Sequence, residues 1–177
     1  MINATMLCLA ILAGNQEGLT HLSPKKLDFA CGNAQNLVQM SENYGIKPTT
    51  LAALVYIESG WNHKAISHAN ACGLTQVLPK YVKWSCKELM NPVVSFEAGA
   101  FSLSKWLKHV DKKKLTKNQK KDKEKIALAC YNAGYICNKS KYARRYSDKV
   151  RKISIFYEYF LKIQTGDTKC QNGNKEQ

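Results

Sequence analysis

Glu58 stands in the stretch LVYIESGWNHKAISHANACGLTQV, residues 54–77. It follows Leu54 by four residues, Val55 by three and Leu51 by seven. On a helix those positions share one face, and here that face is apolar. A carboxylate on it points to the interior or into a cleft. The helix reads as ending at Ser59, with Gly60 as its stop, so Glu58 lies in the last turn. Unpaired backbone carbonyls there repel negative charge. Desolvation and the helix end both favour the protonated form and raise the pKa. A carboxylic acid held protonated near neutral pH is suited to general acid catalysis. The plainer alternative is a glutamate that reaches past the helix end to water, or pairs with a lysine.

Residues downstream extend the pattern. Glu58-Ser59-Gly60-Trp61-Asn62 is followed by Gly73-Leu74-Thr75-Gln76 and Val77-Leu78-Pro79. Cys130-Tyr131-Asn132-Ala133-Gly134 comes later, and then Tyr146 with Val150. In this order the four segments resemble the motifs of lytic transglycosylases with a goose-lysozyme-like SLT domain. Thr75 departs from the family's usual Met, which puts the sugar contacts in question rather than the fold. The stretch YGIKPTTLAALVYIESGWN also resembles small exported transglycosylases of type IV and type III secretion machines. The chain's size, basic character and cysteine content are similar to those of the Cag-type accessory enzymes.

The resemblance implies a role for each residue. Glu58 would protonate the glycosidic oxygen between MurNAc and GlcNAc, then act as base on the MurNAc 6-hydroxyl. The product would be a 1,6-anhydro sugar, formed without water. An ordinary glycosidase needs a second carboxylate. The nearest acids downstream, Glu88 and Glu97, fall in no motif. Ser59, Ser67, Gln76, Tyr131, Asn132 and Tyr146 would bind the sugar or the acid. Tyr131 and Tyr146 also lie on apolar helix faces, where core packing alone would account for them. Cys130 is either packing or half of a disulfide tying the cleft wall. No cofactor or metal is expected.

The elements that must position these residues read as helices. Cys31 to Tyr44 is expected to form one helix, with Ala34, Leu37, Val38 and Tyr44 on one side and Ser41 as the polar member. Pro48 opens the helix that carries Glu58. A short helix is expected around Gly73 to Leu78. Asn91-Pro92 is a capped start, after which Phe96, Ala100, Leu103, Leu107 and Val110 mark one helix face. Residues 111–125 hold eight lysines and three acids against one apolar residue, Leu115. They read as an exposed loop, with an arm for an anionic partner as the alternative. Helical pattern resumes at EKIALACYNAG and ends at Gly134. A last helix from Lys139 to Gln164 should bury Tyr142, Tyr146, Val150, Ile153, Tyr157 and Phe160. The fold class is all-α, a single lysozyme-like domain over residues 15–165 with six or seven helices, and a polar tail at 166–177.

The 177 residues carry 27 Lys+Arg against 13 Asp+Glu, a formal charge of +14. That excess predicts affinity for polyanions: nucleic acid, an anionic membrane surface or the bacterial wall. KSKYARRYSDKVRK is the one segment suited to nucleic acid, but its cations spread around the helix and no nucleic-acid motif accompanies it. The expected partner is peptidoglycan, to which the resemblance adds secretion-system components, with no nucleic acid. Met6 to Ala13 is an apolar run too short to span a bilayer. It reads as the core of a signal peptide over residues 1–14, lacking the usual basic n-region. The alternative is a buried first turn of the fold. Of seven cysteines, Cys8 lies in that segment; the other six are an even set compatible with disulfides and export to the periplasm. The competing functions are a goose-type muramidase that uses water and a wall-binding assembly factor that does not cut.

Overall fold

The computed structural model describes residues 2–112, 122–137 and 139–166. Among these the regular structure is helical, with two isolated β-bridges and no strand. Eight α-helices occur among the described residues, against the six or seven expected: α1 Ala4–Gln16, α2 Pro24–Gly32, α3 Ala34–Asn43, α4 Pro48–Ser59, α5 Cys86–Leu89, α6 Pro92–Asp111, α7 Lys123–Ala133 and α8 Lys141–Gln164. Short 3₁₀ turns cover Pro79–Tyr81 and Gly134–Ile136.

Helix α4 is the axis of the fold. Pro48 sits in its first turn, where a missing N–H costs nothing, and Gly60 ends it in the left-handed region at φ 54°. Every residue from Pro48 to Val55 is buried. The surroundings open only over the last turn, from Tyr56 to Ser59. The apolar pattern therefore marks a central helix buried all round, rather than one with a single buried face. Helix α8 packs along it, and α7 packs on α8 and α6. Two buried threonines, Thr49 and Thr50, meet that junction. Thr50 donates to Glu124 of α7 at 2.8 Å and shares a hydrogen bond of 3.1 Å with Ser154 of α8. Polar groups removed from water need such partners. This junction fixes α4 relative to α8.

Several expectations change. The segment 31–44 is two helices, because the chain turns at Asn33 (φ −104°, ψ 3°). Residues 73–78 form a tight turn, bridged from Cys72 to Val77. Gly73 and Gln76 there have φ 76° and 49°, which no helix accommodates. Tyr142 is 80% exposed, and Ala143, Ser147, Ser154 and Leu161 join the buried stripe of α8 instead. The side that matters is one step away from the aromatic positions, and small residues fill it. Tyr146 and Phe160 lie half-buried at its edge, while Val150, Ile153 and Tyr157 are buried as expected. The face of α6 is as expected, with Leu107 partly buried.

The N-terminal segment is helix α1, with Leu7, Ala10 and Ile11 fully buried. Gly14 lies so close to α8 that a Cβ would stand 2.7 Å from Tyr157 Cε1. Cys8 is bonded to Cys31 of α2. In the structure this segment therefore packs as a helix against α2 and α8. A break after residue 14 would separate most of α1, and Cys8 with it, from Cys31. The cysteine arithmetic is corrected accordingly: the pairs are Cys8–Cys31, Cys72–Cys86 and Cys130–Cys137. Cys170, most of the lysine-rich segment and the polar tail beyond Gly166 fall outside the described residues.

Candidate active site

Glu58 sits where α4 emerges from the core, half-buried in the last turn. Tyr146 comes from α8, near that helix's N-terminal end, and its hydroxyl donates to Glu58 Oε1 at 2.5 Å. Burial raises the Glu58 pKa from 4.5 to about 7, and the Tyr146 hydrogen bond lowers it in part. The carboxyl is therefore balanced between its two forms near neutrality, as a group that must give and recover a proton requires. Tyr146 and Tyr131 are both pushed well above the ordinary phenol range, by burial first and then by the charge of Glu58. Both phenols stay protonated and serve as donors.

Tyr131 approaches from α7. Its hydroxyl donates to the Thr75 carbonyl at 2.7 Å. This bond ties the 72–77 turn to the helix that carries Tyr131 and Asn132. Thr75 is itself buried: its hydroxyl donates to the Ser95 carbonyl at 2.8 Å, and its N–H to Ser95 Oγ at 3.2 Å. Its methyl lies over Gly99, where a Cβ would be 2.5 Å away. The residue that replaces Met thus anchors the turn to α6 rather than facing a substrate.

Gln76 holds the turn from within. Its side-chain amide donates to the carbonyls of Ala65 at 3.0 Å and Gly73 at 2.9 Å. Its amide nitrogen is thereby engaged with the loop, and its φ of 49° is uncommon for a non-glycine residue. Ser67 bonds its own turn, accepting from the Ala71 N–H at 3.1 Å. Ser59 donates back to the Val55 carbonyl at 3.1 Å, within α4. Asn132 is exposed on α7. The structure therefore brings Glu58, Tyr146 and Tyr131 into one electrostatic group. Gln76 and Ser67 shape the facing loop, while Ser59 is occupied by its own helix.

Trp61 was not singled out by sequence. It follows Gly60 in the left-handed region (φ 60°), a strained setting for a bulky residue. Its ring is 2% exposed and meets Phe96 edge-on at 6.2 Å. Its indole N–H is buried with no hydrogen-bond partner among the described residues. The available signal was a large aromatic residue directly after a helix-stopping glycine. Two disulfides bracket the site. Cys72–Cys86 closes the loop beyond Gln76, and Cys130–Cys137 closes the chain after Tyr131 and Asn132. The latter makes Cys130 half of a disulfide at this wall.

The nearest acids downstream are engaged elsewhere. Glu88 accepts from Ser85 in a capping box, and Glu97 accepts from the Tyr44 hydroxyl at 3.0 Å. Among the described residues no cluster of His, Cys, Asp and Glu could hold a metal ion. No helix among them is long and apolar enough to cross a membrane.

One half-buried acid, gripped by a tyrosine from the last helix and faced by a glycine-led turn, sits within a helical domain of known type. The chain belongs to the transglycosylase SLT domain family, which matches residues 35–154. Helices α1 and α2 lie before the matched region. Over 42 residues the chain is 43% identical to membrane-bound lytic murein transglycosylase C of Actinobacillus pleuropneumoniae serotype 5b (strain L20). It is 45% identical over 42 residues to the protein of that name from Glaesserella parasuis serovar 5 (strain SH0165). These stretches are 24% of this chain and only 12% of each relative.

Proposed function

We propose that this domain cleaves the MurNAc–GlcNAc β-1,4 bond of peptidoglycan and releases 1,6-anhydroMurNAc ends. The observation that carries the reading is the Glu58–Tyr146 pair: a half-buried carboxyl of pKa about 7 with a phenol donor at 2.5 Å. Protonated Glu58 gives its proton to the glycosidic oxygen as the bond to the anomeric carbon breaks. The N-acetyl group of the same sugar stabilises the cationic centre. Glu58, now a carboxylate, takes the proton of the 6-hydroxyl as that oxygen closes on the anomeric carbon. The nucleophile is already attached to the substrate, so little entropy is lost in bringing it in. Tyr146 holds the carboxyl in place and supports its charge between the two transfers. The loop that carries Ser67 and Gln76, together with Asn132 on α7, would offer the sugar its polar contacts.

Three disulfides support a place outside the cytosol, in the periplasm or cell envelope. The basic charge suits an anionic wall, and the resemblance to secretion-associated enzymes suggests that the cut opens the wall for such an apparatus. Digestion of purified sacculi, followed by borohydride treatment and mass measurement, tests the chemistry. Muropeptides that gain no hydrogen are expected. Fully reducible products would mean hydrolysis by a muramidase, and intact sacculi would mean a wall-binding factor.

A further inference from the structure

Away from Glu58, a groove of about 260 Å³ opens between the end of α3, the middle of α6 and the segment after the 3₁₀ turn. Tyr44, Tyr81, Trp84 and Phe101 supply its rings, and Lys83 and Lys105 its charges. None of its lining residues is acidic. The floor is set: the Tyr44 hydroxyl donates to Glu97 at 3.0 Å, and the Tyr44 ring meets Phe101 edge-on at 5.9 Å. The lip is also restrained, since Cys86, two residues beyond Trp84, is bonded to Cys72 of the catalytic turn.

The lysines lie over the rings. Lys83 Nζ is 4.8 Å from the Trp84 centroid, and Lys105 Nζ is 5.2 Å from that of Phe101. Lys80 Nζ stands 4.9 Å over Tyr81, whose side chain is exposed. Such cation–π contacts at a wet surface are weak, so an arriving carboxylate can draw the ammonium groups away. The rings this uncovers offer flat faces to the C–H faces of sugars. Rings and cations side by side, with no acid among them, match one chemistry: a sugar strand that carries carboxylates.

We infer that this groove docks the anionic, peptide-bearing part of a peptidoglycan strand, apart from the bond being cut. This rests on the proposed function for its substrate. It adds a second contact, which would hold the strand while Glu58 acts on it. The disulfide to Cys72 gives the groove and the catalytic turn a fixed separation.

Charge reversal at exposed positions, Lys83→Glu with Lys105→Glu, is the direct test, with Trp84→Ala as a second variant. Binding of the full chain to intact sacculi is read by co-sedimentation in the non-cleaving Glu58→Gln background, and turnover is read in the parent. The double reversal should weaken binding about tenfold and raise KM, with kcat retained. After amidase removes the peptide stems, the reversed and unreversed proteins should bind alike. Unchanged binding of the reversed protein to intact sacculi overturns the inference, as does equally strong competition by free stem peptide, which would make the occupant a peptide alone. If the parent still releases products in that case, the catalytic reading stands without the groove. If the groove governs binding but the parent cuts nothing, the catalytic reading fails and the groove stands. Should Trp84→Ala fail to fold, the lysine reversals decide.

Discussion

The two sides of the site are built in different ways. On one side Glu58 and Tyr146 stand on α4 and α8, helices joined in the core by Thr50 and Ser154, with Glu124 of α7 accepting from Thr50. On the other side the 61–77 segment has almost no regular structure. It is held by the Gln76 amide, the Tyr131–Thr75 bond, buried Ser95 and the Cys72–Cys86 disulfide. Trp61, Asn70 and Gln76 all have positive φ within it. The groups proposed to handle the proton thus sit on rigid elements, and the surface proposed to face the sugar is a strained loop fixed by many small ties. Helices place a reacting atom well, whereas a loop can follow the contour of a polymer.

The helical side should fail through chemistry and the loop side through folding. The largest effect is expected from Glu58→Gln, which keeps the shape and the Tyr146 contact but cannot transfer a proton. Muropeptide release should fall by about a thousandfold or more. The same variant should gain stability, for a reason the pKa supplies. The folded-state pKa of Glu58 lies above the ordinary 4.5, at about 7, so the folded protein holds this proton more tightly than the unfolded chain. Stability is lost as pH rises from 4.5 through 7, and the cost is complete above 7. Above pH 8 the Gln variant should therefore be more stable than the parent by roughly 2–3 kcal/mol, and below pH 4 the two should converge. Urea titrations at the two pH values check this.

On the loop side, Gly73→Ala should rival that effect by a different route. A Cβ there would stand 1.9 Å from the Leu89 carbonyl oxygen, at a φ of 76°. A loss of about 3 kcal/mol or more is expected, because the obstacle is backbone and cannot swing aside. Thermal unfolding reads it, and an unchanged midpoint would mean that the turn is not built this way.

Tyr146→Phe probes the join between the halves. Activity should fall about ten- to a hundredfold without loss of fold. The hydroxyl lowers the Glu58 pKa, so its removal should move the alkaline limb of the pH–activity profile to higher pH. A limb that stays in place would separate Tyr146 from the acid. The smallest effect is expected at Ser59→Ala, where only a bond to the Val55 carbonyl within the helix is lost. KM and stability should change little, which would distinguish Ser59 from Ser67 and Gln76 on the loop.

Sequence made the helical side legible and left the loop side largely hidden. The limits of α4 followed from Pro48 and Gly60, and the placement of Glu58 followed from its spacing to Leu51, Leu54 and Val55. These are local signals, set by backbone geometry within a few residues. The expected helix at 73–78 failed because propensity says nothing of the Leu89 carbonyl that Gly73 approaches, or of the Ser95 that claims Thr75. The aromatic pattern places Tyr142 in the core, whereas close packing of α8 selects the small Ala143 and Ser147. The apolar run at residues 6–13 has the composition of a leader, and only the fold shows its helix packing beside Tyr157.

What the sequence determined by itself was the all-α class, the helix that carries the acid and the order of the motif residues, because these depend on spacing along one chain. Tertiary structure alone decided that Tyr146 reaches Glu58, that Thr75 faces α6, and that Cys8 pairs with Cys31. Each joins residues far apart in the chain, from 20 positions for Thr75–Ser95 to 88 for Glu58–Tyr146, and such contacts depend on how helices pack. The pKa of Glu58 belongs to both levels: the sequence set the direction by placing a carboxyl at the end of an apolar helix, and the packed fold set the value through burial opposed by one phenol.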